Sequence, residues 1–314
     1  MEAELNRLKR HLIKTFIVIL LAIGFCSSLL DGVNEIIMDH TFNTRLAAVV
    51  IILFLVIHVL IYVFFILLFV RLVSKKIEEE NVRYNKERNT LFANIAHDLK
   101  TPMTTVIGFS KALYDGEVKS EKERKELLYA VYTKSKKANE LLDLMFQYTK
   151  LEGIDYNLIL KEENIGAIIR EIIALYYNQF EEKNIELVID IPDEPLKMQV
   201  DRIEFSRAIS NLIINAYRHN EEGSTVLIRL QKQDGIRIVV ADTGKAIPMD
   251  MKKQIFEPFV CGDESRNENS GSGLGLAITK IIVEKHCGTI QIDSSIEGYS
   301  KGFVIIFGAA TTYD

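Results

Sequence analysis

The sequence has few cysteines and no excess of basic charge. Cys26, Cys261 and Cys287 are widely separated and lack metal-ligand spacing, so neither a metal–thiolate site nor a disulfide framework is supported, and the pattern suits a reducing compartment. With 38 Lys and Arg against 43 Asp and Glu, the net charge is −5, which argues against a globally basic surface for nucleic acid. A chain of 314 residues can hold two or more domains.

Nearly all the long apolar runs lie before residue 74. A helix over the first run, residues 12–30, is about 28 Å long, close to the thickness of the hydrocarbon core of a bilayer. A helix over the second run, residues 46–70, is about 37 Å long, enough to span with tilt. We therefore expect two transmembrane helices. A cleavable signal peptide is the alternative for the first run, but no small-residue cleavage site follows Leu30.

Basic residues flank the two runs on their outer sides. Residues 31–45, between the runs, carry one basic residue and three acidic ones. The positive-inside rule thus predicts a cytoplasmic N-terminus over residues 1–11, a short extracytoplasmic loop over 31–45, and both termini in the cytoplasm. Because so short a loop cannot form a ligand-binding domain, a stimulus must act on the membrane helices, on the loop or through a partner. His58, inside the second run, is either a proton or ligand sensor or a histidine packed between helices.

A polar connector over residues 71–88 leads into a helical hairpin over residues 89–152. Apolar residues recur every seven positions through the connector, but the other core position is mostly polar, which predicts a weak coiled-coil seam. The first hairpin helix should run to about Tyr114, and Ser120 with Glu123 resembles a capping box for the second. A single hairpin has too little surface to bury its two apolar stripes, so we predict a homodimer with a four-helix bundle.

The first hairpin helix contains a candidate phosphoacceptor. A neutral imidazole, here His97, is an uncharged nucleophile near neutral pH, and the adjacent carboxylate of Asp98 can fix its tautomer. Thr101 lies on the same helical face one turn later. Pro102 offers no N–H to the carbonyl of Asp98, which predicts a kink.

Residues 153–314 change to a mixed helix and strand pattern. We expect strands over residues 185–191, 226–230 and 236–241 and a helix over 202–217. Asn211 and Asn215 share one face of this helix, where amide oxygens suit Mg²⁺, although asparagines that bridge packed helices are the alternative. Arg218 and His219 follow at the helix end, where positive charge can meet phosphates.

Three further motifs follow in order. Asp242, at the end of a strand, can accept a hydrogen bond from an adenine amino group, and Gly244 lies in the turn after it. Phe256 and Phe259 either anchor a mobile lid or are core residues. A glycine-rich stretch then opens a helix, where backbone N–H groups suit phosphates; its residues are Gly271, Gly273, Leu274, Gly275 and Leu276. A polar loop precedes it, which argues against a dinucleotide-binding motif.

Taken in order, the His97 motif, the asparagine motif of residues 211 and 215, and the three motifs that follow it resemble the phosphoacceptor, N, G1, F and G2 boxes of one family. This family is the bacterial membrane-bound sensor histidine kinases of the short-loop, intramembrane-sensing type. The resemblance covers about residues 81–311. It implies two transmembrane helices, an α-helical dimerisation hairpin, and an α/β sandwich ATP-binding domain of the gyrase, chaperone and histidine kinase type. It also implies a protein in the bacterial cell membrane that uses ATP and Mg²⁺.

The resemblance assigns roles to residues and partners. His97 is the phosphorylated residue, Asp98 assists transfer, Thr101 positions water for dephosphorylation, Asn215 binds magnesium and Asp242 binds adenine. The phosphoryl group passes to an aspartate of a response regulator, and a membrane transporter is a possible sensing partner. The chain departs from the family pattern at Ala246, where a second glycine is usual.

Two other functions stay open from the sequence. The chain can act predominantly as a phosphatase of its regulator, because the His97 motif permits either direction of transfer. It can also be a catalytically silent membrane scaffold that binds nucleotide.

Overall fold

The structure, a computed structural model, describes residues 2–39, 44–153, 155–233, 235–252, 254–260 and 273–308. The chain divides into two compact units, residues 1–90 and 91–314. The helices are α1 (Glu2–Asp39), α2 (Thr44–Tyr114), α3 (Glu121–Glu152), α4 (Ile165–Glu182), α5 (Arg202–His219) and α6 (Gly275–Lys285). The strands are β1 (Lys161–Asn164), β2 (Glu186–Asp190), β3 (Lys197–Val200), β4 (Thr225–Gln233), β5 (Gly235–Asp242), β6 (Gly288–Asp293) and β7 (Lys301–Gly308).

The first unit contains two helices that are long and apolar enough to cross a membrane. The segments begin at Leu12 in α1 and at Val49 in α2. Their apolar side chains face outward, with Leu21 69% exposed and Leu67 63% exposed, as expected for side chains that face lipid. Helix α1 continues to Asp39, so most of the predicted loop over residues 31–45 is helical, consistent with the absence of proline there. Residues 40–43 lie outside the described residues.

The first hairpin helix ends, and the second is capped, where the sequence predicts. Helix α2 ends at Tyr114, and Gly116 takes a positive φ of 71° in the turn. Ser120 caps α3, because its hydroxyl accepts a hydrogen bond from the N–H of Glu123 at 3.0 Å. Large apolar side chains on both helices are solvent-exposed in the single chain, among them Ile107, Leu128 and Phe146. The hairpin therefore presents the unburied apolar surface that the predicted bundle needs.

The rest of the second unit is a sheet covered by helices. Five strands lie in the order β2-β4-β5-β7-β6, with β2 parallel to β4 and the other pairs antiparallel, and β1 pairs with β3 in a small second sheet. Alternate residues of β4, β5 and β7, such as Ile228, Ile238 and Ile305, pack with helix residues such as Ile169 and Leu212 in the main core. The predicted strands and helix are confirmed, whereas α4, β1, β3, β6 and β7 were not predicted.

A second apolar cluster joins the hairpin to the domain that contains the sheet. Tyr148 and Leu151 of α3, together with Leu91 and Ile95 of α2, pack against α5 and α6; the α5 and α6 side of the cluster consists of Ala208, Ala277, Ile278 and Ile282, with Leu274 just before α6. Leu151 and Leu274 are completely buried. The hairpin base therefore packs on the helix that follows the glycine-rich motif.

The segment that leaves the hairpin is held by a buried polar contact. The hydroxyl of Tyr156 donates to Glu204 at 2.7 Å, and Glu204, which is 2% exposed, also accepts from Arg207. Burial and then the contact with Glu204 raise the pKa of Tyr156 to about 12. Since the ordinary pKa is about 10, the folded state keeps this proton through a range in which the unfolded chain loses it.

We expect Tyr156→Phe to lower the thermal midpoint by about 2–6 °C, because the buried carboxylate loses a donor worth about 1–2 kcal/mol. The difference between wild type and variant should shrink as the pH rises from about 10 to about 12, where the raised pKa removes the advantage of the tyrosine. Thermal unfolding of the full chain in nanodiscs measures both. Tyr177→Phe, which alters an exposed tyrosine of α4, is the control. Equal midpoints for the two variants would contradict the contact.

Candidate active site

His97 is presented to solvent on α2. Its side chain is 80% exposed, and its Nδ1 lies 3.1 Å from Oδ1 of Asp98. A carboxylate at this position favours a proton on Nδ1, which leaves the lone pair on Nε2. Nε2 has no hydrogen-bond partner among the described residues. The pair therefore presents an oriented imidazole with its second nitrogen available for attack.

Thr101 lies where the helical spacing places it. Its hydroxyl is 3.5 Å from the carbonyl oxygen of His97, on the same face of α2. The helix continues through Pro102 to Tyr114. The side chains of His97, Asp98 and Thr101 are thus brought together on one exposed surface.

The two asparagines of α5 have different surroundings. Nδ2 of Asn211 donates to the carbonyl oxygen of Gly275 at 3.1 Å and lies 3.4 Å from the hydroxyl of Thr279, so Asn211 links α5 to the start of α6. Asn215, one turn later, is half-buried and has no hydrogen bond to a described residue. The bridging alternative thus describes Asn211, while the amide of Asn215 is available to a ligand.

Arg218 and His219 end α5 on its exposed side. Partial loss of hydration, and then the positive charges of Lys301 and Arg218, lower the pKa of His219. Its imidazole is therefore neutral near neutral pH. The carboxylate of Asp242, at the end of β5, is close enough to His219 to oppose this lowering of its pKa.

Asp242 is held as a buried carboxylate. It is 2% exposed, and its Oδ1 accepts from the N–H of Gly244 at 3.0 Å and from Nζ of Lys301 at 2.7 Å. Oδ2 accepts no hydrogen bond from the described residues. One oxygen is therefore fixed by the protein while the other is available to a ligand donor.

Three residues near Asp242 were not predicted from the sequence to belong to the site. Lys301 pairs directly with Asp242 in the register of β5 and β7, and the N–H of Ser300 donates to the Asp242 carbonyl at 3.0 Å. Asn220 is 2% exposed, and its Oδ1 is a buried oxygen without a hydrogen-bond partner in the described structure. Only Asn220 had a sequence signal, since it directly follows His219; Ser300 and Lys301 come near through strand pairing alone.

The turn after Asp242 leaves no room for a side chain at Gly244. A Cβ there would lie 2.2 Å from Oδ1 of Asn220 and 3.0 Å from Oδ1 of Asp242. Ala246, by contrast, is not among the residues with positive φ, which in the described chain are glycines and Asn184, Phe259 and Cys287. Alanine therefore causes no backbone strain at the position where the family usually has glycine.

The glycine-rich motif ends at an uncapped helix start. Gly273 has a φ of 67°, and α6 begins at Gly275 without a side-chain cap from Leu274. The first N–H groups of α6 and its positive dipole end are consequently available to an anion. Leu274 is buried against the hairpin and Leu276 is half-buried against the main core. Gly271 lies outside the described residues.

The two phenylalanines divide between core and motif. Phe256 is 8% exposed and packs edge-on against Phe303, with ring centroids 6.2 Å apart, so its side chain is a core residue. Phe259 takes a φ of 64°, and its N–H donates to the carbonyl oxygen of Gly273 at 3.1 Å. Phe259 thus joins this segment to the glycine-rich motif.

These residues fit a nucleotide and a hard cation. The end of β5 offers an available carboxylate oxygen, α5 offers an available amide and a neutral imidazole, and α6, which Asn211 joins to α5, offers an uncapped start. No group of three or more His, Cys, Asp or Glu side chains in the described ranges is placed to hold a metal by itself. Mg²⁺ bound with a nucleotide takes phosphate oxygens together with one or two protein oxygens, and the amide oxygen of Asn215 is available for such a role.

Comparison with known proteins gives the same two modules. Residues 87–154 match the His Kinase A (phospho-acceptor) domain, and residues 200–310 match the histidine kinase-, DNA gyrase B- and HSP90-like ATPase domain. The chain is 32% identical to the sensor protein GtcS of Aneurinibacillus migulanus over 73% of this chain and 62% of that protein. It is 30% identical to the sensor histidine kinase YcbM of Bacillus subtilis over 70% of this chain and 71% of that protein.

Solved structures share the fold. The histidine kinase AdeS of Acinetobacter baumannii has a TM-score of 0.55 at 21% identity, covering 68% of this chain and 97% of that one. The histidine kinase ThkA in complex with response regulator protein TrrA has a TM-score of 0.57 at 23% identity, covering 73% of this chain and 65% of that one. With both domain matches and the relatives in agreement, the chain belongs to the sensor histidine kinases of two-component systems.

Proposed function

We propose that the protein phosphorylates His97 from MgATP and passes the phosphoryl group to an aspartate of a response regulator. The observation that carries the proposal is the exposed His97–Asp98 pair in the same unit as a buried carboxylate with one available oxygen. A packed structural histidine would be buried, whereas this imidazole is 80% exposed. A silent scaffold has no need of an oriented nucleophile, so the pair favours catalysis.

In the proposed reaction Nε2 of His97 attacks the γ-phosphorus. A nitrogen–phosphorus bond forms, the bond from phosphorus to the bridging oxygen breaks, and ADP leaves. The proton on Nδ1 stays in place, and the carboxylate of Asp98 at 3.1 Å stabilises the positive charge that the ring gains. Most of the rate enhancement comes from positioning and charge neutralisation.

The nucleotide is held by the residues around Asp242. Oδ2 of Asp242 accepts from the adenine amino group, and the N–H groups at the start of α6 meet the phosphates. Arg218 and the neutral His219 lie at the end of α5 beside them. Asn215 would hold Mg²⁺ together with phosphate oxygens, and the bound ion would supply charge neutralisation on the transferred group.

A response regulator is the partner that fits both the chemistry of phosphorylated His97 and a solved structure with a similar fold. A phosphorylated imidazole is a good phosphoryl donor to a carboxylate. One solved structure with a similar fold, that of the histidine kinase ThkA, is a complex with a response regulator protein. The exposed surface around His97 gives such a partner access. Two apolar helices anchor the protein in the bacterial cell membrane with both termini in the cytoplasm, and the exposed hairpin stripes form a homodimer.

Phosphatase activity is the second candidate, and the position of Thr101 favours it. Its hydroxyl lies on the same face as His97, one turn away, where it can orient a water toward an aspartyl phosphate held at that face. The protein would then also dephosphorylate its regulator.

We expect His97→Gln to abolish labelling by γ-labelled ATP, because glutamine has no nucleophilic nitrogen of comparable strength. The label on the wild-type chain should be acid-labile and alkali-stable. Lys100→Gln, at an exposed neighbour on α2, should label normally. Normal labelling of the His97→Gln chain would contradict the assignment of His97 as the phosphorylated residue.

We expect Asp98→Asn to slow autophosphorylation about 100-fold, because an amide stabilises neither the required tautomer nor the positive ring. The dissociation constant for ATP should stay unchanged, since Asp98 lies on the hairpin. Asp143→Asn, which alters an exposed carboxylate of α3, is the control and should leave the rate unaltered. Quenched-flow labelling gives the rate, and a loss of ATP affinity in Asp98→Asn would contradict the assigned role.

We expect Gly244→Ala to weaken ATP binding about 10-fold or more, because the added methyl group overlaps Oδ1 of Asn220 and distorts the Asp242 turn. Gly308→Ala, where a Cβ meets nothing within 4 Å, is the matched control. Displacement of a fluorescent ATP analogue measures both. Wild-type affinity in Gly244→Ala would show that this turn does not bind the base.

A further inference from the structure

Lys301 is a buried lysine beside the group that is proposed to bind the base. It is 5% exposed, and its ammonium donates to Oδ1 of Asp242 at 2.7 Å and to the carbonyl oxygen of Lys245 at 2.8 Å. Strand pairing places it there, since Lys301 is directly opposite Asp242 in the antiparallel register of β5 and β7. The ammonium therefore lies in the turn that follows β5.

Stability alone does not account for this lysine. A buried ion pair gives little net stability, because the loss of hydration of both charges offsets their attraction. A buried ammonium also has three N–H donors, all of which should find acceptors. Two are used by Asp242 and Lys245, and the described residues supply no third acceptor.

Asp242 and Lys301 offer a hydrogen-bond acceptor and a hydrogen-bond donor side by side. Oδ2 of Asp242 is an acceptor, and the ammonium bonded to Oδ1 of the same carboxylate supplies a donor next to it. The edge of adenine presents the matching order, with the amino group as donor beside ring nitrogen N1 as acceptor. Guanine presents an oxygen and then a protonated N1, which is the opposite order at both positions.

We propose that Lys301 determines the base specificity of this kinase by donating its third N–H to N1 of adenine while Oδ2 of Asp242 accepts from the amino group. The inference rests on the nucleotide-binding role of Asp242 proposed above. A site that offers charged partners to both groups accepts adenine and rejects a base of reversed order, which would leave an ammonium against an N–H and a carboxylate against a carbonyl oxygen.

The test measures binding without phosphoryl transfer. Dissociation constants for ATP and for 1-deaza-ATP, in which a C–H replaces N1, are determined with Mg²⁺ on the full chain in nanodiscs, carrying His97→Gln so that no phosphoryl group moves. The analogue should bind about 10- to 100-fold more weakly than ATP, the usual effect of losing a hydrogen bond to a charged group. A ratio near one overturns the proposal without any variant at Lys301.

A variant then assigns the effect to Lys301. In Lys301→Met, a side chain of similar length without a donor, the ratio between the two nucleotides should fall to near one, and discrimination against GTP should fall with it. Lys301→Leu serves if the methionine variant does not fold, as judged by its thermal midpoint. Lys252→Met, which removes a lysine that bonds Ser294, should keep the full ratio. An unchanged ratio in a folded Lys301 variant shows that another group reads N1 and overturns the assignment.

The outcome is independent of the kinase reaction. If His97 accepts no phosphoryl group but the ratio behaves as stated, the proposed reaction fails and the role of Lys301 stands. If His97 is phosphorylated normally but 1-deaza-ATP binds like ATP, only the role of Lys301 fails.

Discussion

The proposed nucleotide site depends on the carboxylate of Asp242, which is buried and accepts hydrogen bonds from the protein at only one of its two oxygens. Burial of an unpaired carboxylate is costly, and the N–H of Gly244 and the ammonium of Lys301 offset that cost at one oxygen. The second oxygen then stays available without leaving the charge unbalanced. The sheet supplies both donors, since one comes from the turn after β5 and the other from the strand paired with β5.

The same constraint explains the neighbouring residues. Gly244 must be glycine because its N–H bonds Asp242 while its Cα faces Asn220 too closely for a Cβ. Ser300 bonds the backbone carbonyl of Asp242, which fixes the strand end from the β7 side. Ala246 is tolerated because its backbone has an ordinary φ. The turn therefore departs from the family pattern at a position that makes none of these contacts.

Local patterns made much of the site predictable, and distant pairing did not. His97 and Asp98 are adjacent, and Asn215 follows Asn211 by one helical turn, so helical geometry alone relates them. The contribution of Lys301 depends on the register of two strands whose residues are 59 positions apart in sequence, which periodicity cannot specify. Phe256 shows the same limit, because an apolar residue near a polar segment fits either a lid or the core.

The two hairpin helices pack against α6 at their base and also expose apolar side chains along their length. The base of the hairpin packs on α6 through Leu151 and Leu274, both completely buried, so the start of α6, which we propose to bind phosphates, is attached to the hairpin that bears His97. Elsewhere on the hairpin, Ile107 and Phe146 are exposed and would pack against a second copy in the proposed homodimer. A change in how the two copies pack would thus act on the same helices that hold α6. Because packed apolar contacts switch between discrete arrangements rather than deform continuously, such a change can alter the access of ATP to His97.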